Sequence, residues 1–236
     1  MYHLILFYFI TCLYYLNKVC SIKIISLQPG GLNGFYMFGI SKFIKQNYPL
    51  ENIKYFGSSA GAWNALYLCK KTGTSTHSFQ SYLEDLDISN FKNLYEIENS
   101  IKQFYLNYHK SSDFNLHQLN ICVGHVQKIK LEKNIYSGFY DLEDTLNCCM
   151  ASSHIPFITD KNLFFKYKNK LSIDGGFFSY PHPENINPNI IIYPQMWDNY
   201  NLKHNQDLNK FNISQNILWG YQDAFLHKNQ LDNALL

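Results

Sequence analysis

The stretch from Ile53 to Leu66, IKYFGSSAGAWNAL, carries an apolar strand pattern into a G-x-S-x-G turn and then into a helical pattern. That order constrains the chain strongly. A serine on a sharp strand-to-helix turn has its hydroxyl exposed beyond the strand, with the positive end of a helix ready for a developing anion. Gly57 and Gly61 flank Ser59 where larger side chains would collide. Taken alone, the five-residue pattern equally describes a glycine loop capping a helix. Its context separates the two descriptions, because further glycine turns lie on either side of it.

Upstream, Ser21–Gln28 alternates around β-branched residues as a buried strand, Pro29-Gly30-Gly31-Leu32-Asn33-Gly34 breaks it, and Phe35–Lys45 has helical spacing. Such a loop converges backbone N–H groups on an anion, either a phosphate or a tetrahedral oxyanion. Neither G-x-x-x-x-G-K-[ST] nor G-x-G-x-x-G is present, so nucleotide binding is weakly supported. Two successive strand–glycine–helix units predict a parallel sheet covered on both faces, with ligands beyond the carboxyl ends of its strands.

From Thr74 to Asn115 the pattern is polar and helical, with a stripe containing Phe79, Tyr82, Leu83, Leu86, Ile97, Ile101, Phe104, Tyr105 and Tyr108. The stripe is expected to be core, or a lid over an apolar substrate. Leu119–Val126 reads as a strand paired with Lys128–Asn134, and Asp141 as the N-cap, with Asp144 at N3, of a helix that Pro156 terminates. Phe164–Tyr167 and Lys170–Ile173 form a hairpin leading to Asp174-Gly175-Gly176. Asn189–Tyr193 is a last strand and Ile217–Leu236 a closing amphipathic helix.

At 236 residues, without repeats or a linker, the chain predicts one α/β domain over residues 21–236, preceded by an apolar segment, residues 1–20. The run Tyr2–Leu16 is too short to span a bilayer and has the length of a signal-peptide core, though no Lys or Arg precedes it. It is expected to be a signal peptide, an anchor or an interfacial helix, which points to a membrane-associated or secretory location. Composition of 46 % hydrophobic and 16 % charged residues at net charge +2 excludes a disordered chain and leaves no basic tract for nucleic acid. Every strong cation is Lys, so any anion must be held by backbone N–H groups, Lys or His. The six cysteines show no zinc-type spacing and are expected to be reduced, buried thiols.

The succession of Pro29–Gly34, Gly57-Ser58-Ser59-Ala60-Gly61, Ala151-Ser152-Ser153-His154-Ile155-Pro156 and Asp174-Gly175-Gly176 resembles the patatin-like phospholipases, within them most the adiponutrin and triglyceride-lipase branch. The resemblance covers about residues 21–200. It implies a three-layer α/β/α fold with a mainly parallel central sheet. It also implies a serine lipid acyl hydrolase that cleaves carboxylic esters of phospholipids or acylglycerols at a membrane or droplet surface, through an acyl-enzyme. On that pattern Ser59 is the nucleophile and Asp174 its base, with no metal, no cofactor and no catalytic histidine. Gly30, Gly31 and Leu32 form the oxyanion hole, and Gly34, Gly57, Gly61, Gly175 and Gly176 are motif glycines.

Three positions depart from the family pattern. Pro29 stands where a first glycine is usual and has no N–H to donate, Asn33 replaces a basic residue, and Ser179 replaces an Asn. The first of these motivates an alternative, a catalytically weak lipid-binding protein that keeps the fold. Another is an ordinary Ser-His-Asp esterase with His154 or His182 as base.

Overall fold

The computed structural model describes residues 22–74, 77–128, 130–197 and 211–236; the apolar segment 2–16 lies outside them. Strands β1 (Lys23–Leu27), β2 (Ile53–Gly57), β3 (Leu119–Gln127), β4 (Lys130–Ser137), β5 (Phe165–Tyr167), β6 (Lys170–Ile173) and β7 (Ile190–Ile192) form one mixed sheet. Helices α1 (Gly34–Asn47), α2 (Ala60–Cys69), α3 (Phe79–Glu84), α4 (Leu94–Tyr108), α5 (Leu142–Ser152), α6 (Ile213–Leu226) and α7 (Lys228–Leu235) complete an α/β/α arrangement. The order β5-β6-β3-β2-β1-β7 is parallel from β3 through β7, with α1 and α2 following β1 and β2 as crossover helices.

One register fact positions the site. β4 pairs with residues 120–127 of β3, so β3 has one edge left. Along that edge β2 runs parallel as far as Gly57, opposite Ile121, while β6 runs antiparallel and ends with Ile173 opposite Gly124. The two strands therefore approach each other head-on along β3. Their carboxyl ends meet beside Cys122 and Val123.

The core explains why these elements persist. Ile25, Leu27, Tyr55, Leu66, Leu119 and Ile121 are fully or almost fully buried, each large apolar side chain contributing about 1.5–3 kcal/mol. α1 ends at Tyr48, whose extended backbone is what the following Pro49 requires. α1 and α6 touch backbone to backbone: a Cβ on Gly39 would lie 2.0 Å from the Ile217 carbonyl oxygen, and one on Gly220 1.9 Å from that of Tyr36.

The structure shortens or divides some expected elements. α2 stops at Cys69, where Lys70 enters a bridge with Phe114 and Lys45 Nζ caps the carbonyls of Leu68 and Lys70. The closing helix begins at Ile213 and breaks at His227, whose ring stacks on Trp197 at 4.7 Å. Asp141 caps α5 as expected, accepting the Asp144 amide at 2.8 Å, but the Asp144 carboxylate turns to Tyr167 Oη and Lys168 Nζ. Among the described cysteines, Cys69, Cys122, Cys148 and Cys149 are free and buried.

Candidate active site

The elbow is assembled from backbone constraints. Ser59 has φ 54° and ψ −131°, a conformation that costs a non-glycine residue about 1–3 kcal/mol. Close packing on every side enforces it. A Cβ on Gly57 would lie 2.5 Å from the Gly61 carbonyl oxygen, and one on Gly61 2.1 Å from that of Leu27. Both flanking glycines are thus required by the approach of α2 to the ends of β1 and β2. The Ser59 N–H donates to Ser152 Oγ at 2.9 Å, and that hydroxyl donates to the Cys122 carbonyl at 2.6 Å.

Asp174 follows β6 directly. Its amide donates to the His154 carbonyl at 2.7 Å, its Oδ1 accepts the Gly176 N–H, and its Oδ2 accepts the Ser59 hydroxyl at 2.7 Å. Burial disfavours the charged carboxylate and raises Asp174 from 3.8 to about 6, against the opposing pull of the Ser59 and Gly176 hydrogen bonds. Gly175 lets the loop lie on β3, since a Cβ there would come 2.1 Å from the Cys122 carbonyl oxygen. The Pro29 ring packs against Gly176, within 2.9 Å of where its Cβ would be. The proline of the first glycine loop thus abuts the turn that carries Asp174.

Ser59 opens into a cavity of about 100 Å³ walled largely by Phe35, Phe38, Phe79, Leu83, Ile97 and Ile101. Gly31, Leu32 and Gly34 line it too. The N–H groups of Gly31 and Leu32 precede the first bond of a short 3₁₀ turn, Asn33 N–H to Gly30 carbonyl, and so have no acceptor within that turn. Gly30 stands outside the lining, against Met37 Sδ and the Pro194 ring. Gly34 permits a close approach: a Cβ there would lie 2.6 Å from that of Ala60, and Asn64 Nδ2 clamps the junction through the carbonyls of Gly34 and Ala60.

Comparison with protein-family models and with curated proteins returned no match for this sequence.

The two histidines considered as bases lie elsewhere. The buried His154 ring sits beside Phe165, with neither nitrogen hydrogen-bonded to a described residue, and His182 Nδ1 pairs with Ser26 Oγ at 2.9 Å. Neither joins the Ser59–Asp174 pair. Among the described residues no cluster of His, Cys, Asp and Glu is arranged to hold a metal ion, and no helix is long and apolar enough to cross a membrane.

The aromatic stripe divides between two tasks. Phe79, Leu83, Ile97 and Ile101 wall the cavity, whereas Phe104 and Tyr105 are buried core. Three side chains at the site escaped the sequence reading as site residues: Ser152, Asn64 and Glu98. For Glu98 a signal existed, because Leu94, Ile97, Glu98 and Ile101 follow the i, i+3, i+4, i+7 spacing of an apolar helix face. A carboxylate occupies a position where that periodicity calls for a hydrophobe.

Proposed function

We propose that this protein is a patatin-like serine acyl hydrolase acting on lipid esters through Ser59 and Asp174. The observation that carries the reading is the 2.7 Å hydrogen bond from Ser59 Oγ, held at positive φ, to a buried Asp174 carboxylate beside an apolar cavity. A serine hydroxyl is a poor nucleophile until a neighbouring base takes its proton, and a desolvated carboxylate is a stronger base than one in water. In this reading Ser59 Oγ bonds to the ester carbonyl carbon as its proton passes to Asp174. The tetrahedral oxyanion is met by the Gly31 and Leu32 amides, each such donor being worth roughly 2.7–4 kcal/mol. Collapse breaks the carbon–oxygen ester bond, and the departing alcohol takes the proton from Asp174. Water then repeats the sequence on the acyl-enzyme and frees the acid.

The apolar walls suit a hydrocarbon chain, which is why a lipid ester is favoured over a small polar one. The position of Gly30 outside the cavity supports the second reading, a weakly catalytic lipid-binding protein, since it removes one of the three expected amide donors. Labelling with a fluorophosphonate separates the two. Ser59-dependent labelling and ester turnover that vanish in Ser59→Ala support the hydrolase, and their absence in the wild type overturns it.

A further inference from the structure

The cavity beside Ser59 is apolar apart from a few polar groups, and two of these carry buried oxygens without a hydrogen-bond partner among the described residues: Glu98 Oε2 on α4 and Asn64 Oδ1 on α2. The Asn64 amide orientation is fixed by its partners, for its nitrogen donates to the carbonyls of Gly34 and Ala60 at 3.1 and 2.9 Å. Only the oxygen remains for the cavity. The Ser153 hydroxyl lies beside Glu98, but its hydrogen goes to the Cys149 carbonyl at 2.9 Å and it also receives the Trp63 indole N–H. Glu98 Oε2 itself has no hydrogen-bond partner among the described residues.

A buried polar atom without a partner is costly, and two on side chains that line one cavity are complementary to a ligand that supplies hydrogens. Among the described residues no cation lies against the carboxyl. Burial holds Glu98 well above the usual carboxylate range, opposed by the neighbouring Ser153 hydroxyl and reinforced by the charges of Asp174 and Asp160. A neutral carboxyl both donates and accepts, as an alcohol does, whereas an ammonium group would need the ionised form that this site disfavours.

We propose that Glu98, together with Asn64, is a specificity-determining polar anchor that selects lipid esters bearing a free hydroxyl over wholly apolar ones. The proposal deepens the hydrolase reading and rests on it for the ester. Its recognition step is independent of turnover. The hydroxyl has two sources, the alcohol portion of the ester or the acyl chain, and the shared chemistry is a hydroxyl donor within the cavity that Glu98 and Asn64 line.

The test uses Ser59→Ala protein and calorimetric titration with two matched pairs of ligands. The first pair is monooctanoylglycerol against its dimethyl ether, and the second is methyl ω-hydroxyoctanoate against methyl octanoate. In one pair the hydroxyl form is expected to bind about tenfold more tightly, the scale of one hydrogen bond between neutral partners. The pair that shows it identifies the source. Adding Glu98→Leu is expected to bring the ratio to about one, while Glu98→Gln, which keeps shape and a donor, retains part of it. Equal binding in both pairs, or a preference that survives Glu98→Leu, overturns the anchor. Wild-type turnover of the same esters is read separately. A hydroxyl preference without Ser59-dependent turnover supports the anchor and overturns the hydrolase.

Discussion

Ser152 ties Ser59 to the sheet: its hydroxyl accepts the Ser59 amide at 2.9 Å and passes its own hydrogen to the Cys122 carbonyl at 2.6 Å. One buried hydroxyl thus fixes the elbow against the strand on which the Asp174 turn also rests. Ser152→Ala leaves a buried N–H and a buried carbonyl unpaired, and is expected to lower stability by about 1–3 kcal/mol in urea unfolding. Fluorophosphonate labelling of Ser59 should slow as well, because the nucleophile loses the anchor of its own amide.

Backbone strain at Ser59 separates function from stability. Ser59→Ala and Ser59→Gly both remove the hydroxyl and are expected to abolish turnover alike. Only glycine accepts φ 54° with ψ −131° without strain, so Ser59→Gly should be the more stable of the two by about 1 kcal/mol. Thermal unfolding of the paired variants measures the difference. Equal melting temperatures would refute the strain.

The raised Asp174 sets the pH response. The base must be unprotonated to take the Ser59 proton, so kcat/KM for an octanoyl ester is expected to rise as pH increases through about 6 and then level. Stability moves the other way. The folded protein holds the Asp174 proton up to about pH 6, whereas the unfolded chain releases it near 3.8, so this group's contribution falls as pH rises between those values. Asp174→Asn should lose roughly 10²–10⁴-fold in rate and flatten that part of the stability profile. A rate profile without an acid limb near pH 6 would count against Asp174 as the base.

Contact between α1 and α6 predicts a sharp contrast between glycines. Gly220→Ala drives a Cβ onto the Tyr36 carbonyl oxygen, a clash of backbone against backbone, and is expected to cost about 3 kcal/mol or to prevent folding. Gly73→Ala meets open space and bears only the strain of φ 74°, about 1 kcal/mol. Chemical unfolding of the two variants side by side checks the ranking.

Local signals made much of this molecule readable in advance. Strand β2, the elbow and α2 were legible because apolar alternation, paired glycines and helical spacing lie within a few residues of one another. The hairpin ending in Asp174 was legible for the same reason. Ser152 was not, since its role consists of contacts with Ser59 and Cys122, distant in sequence, and a serine near a helix end has many ordinary uses. The break at His227 was hidden too, because its stacking on Trp197 is a tertiary contact within an otherwise continuous helical pattern. Gly30 shows the limit of a motif. Its neighbours Gly31 and Leu32 face the cavity, but the side of the loop that faces Ser59 is decided by the packing of Met37 and Pro194.

The head-on meeting of β2 and β6 makes β3 a vernier for Ser59 and Asp174. Two residues, Cys122 and Val123, separate the last partner of β2 from the last partner of β6, and strand spacing comes only in whole residues of about 3.3 Å. A single insertion there would displace one strand end by a full step and turn its following side chains to the opposite face. The gap between Ser59 and Asp174 therefore cannot drift by small increments along β3; it changes by jumps, and sequence change at this site is confined to the side chains that surround a fixed count.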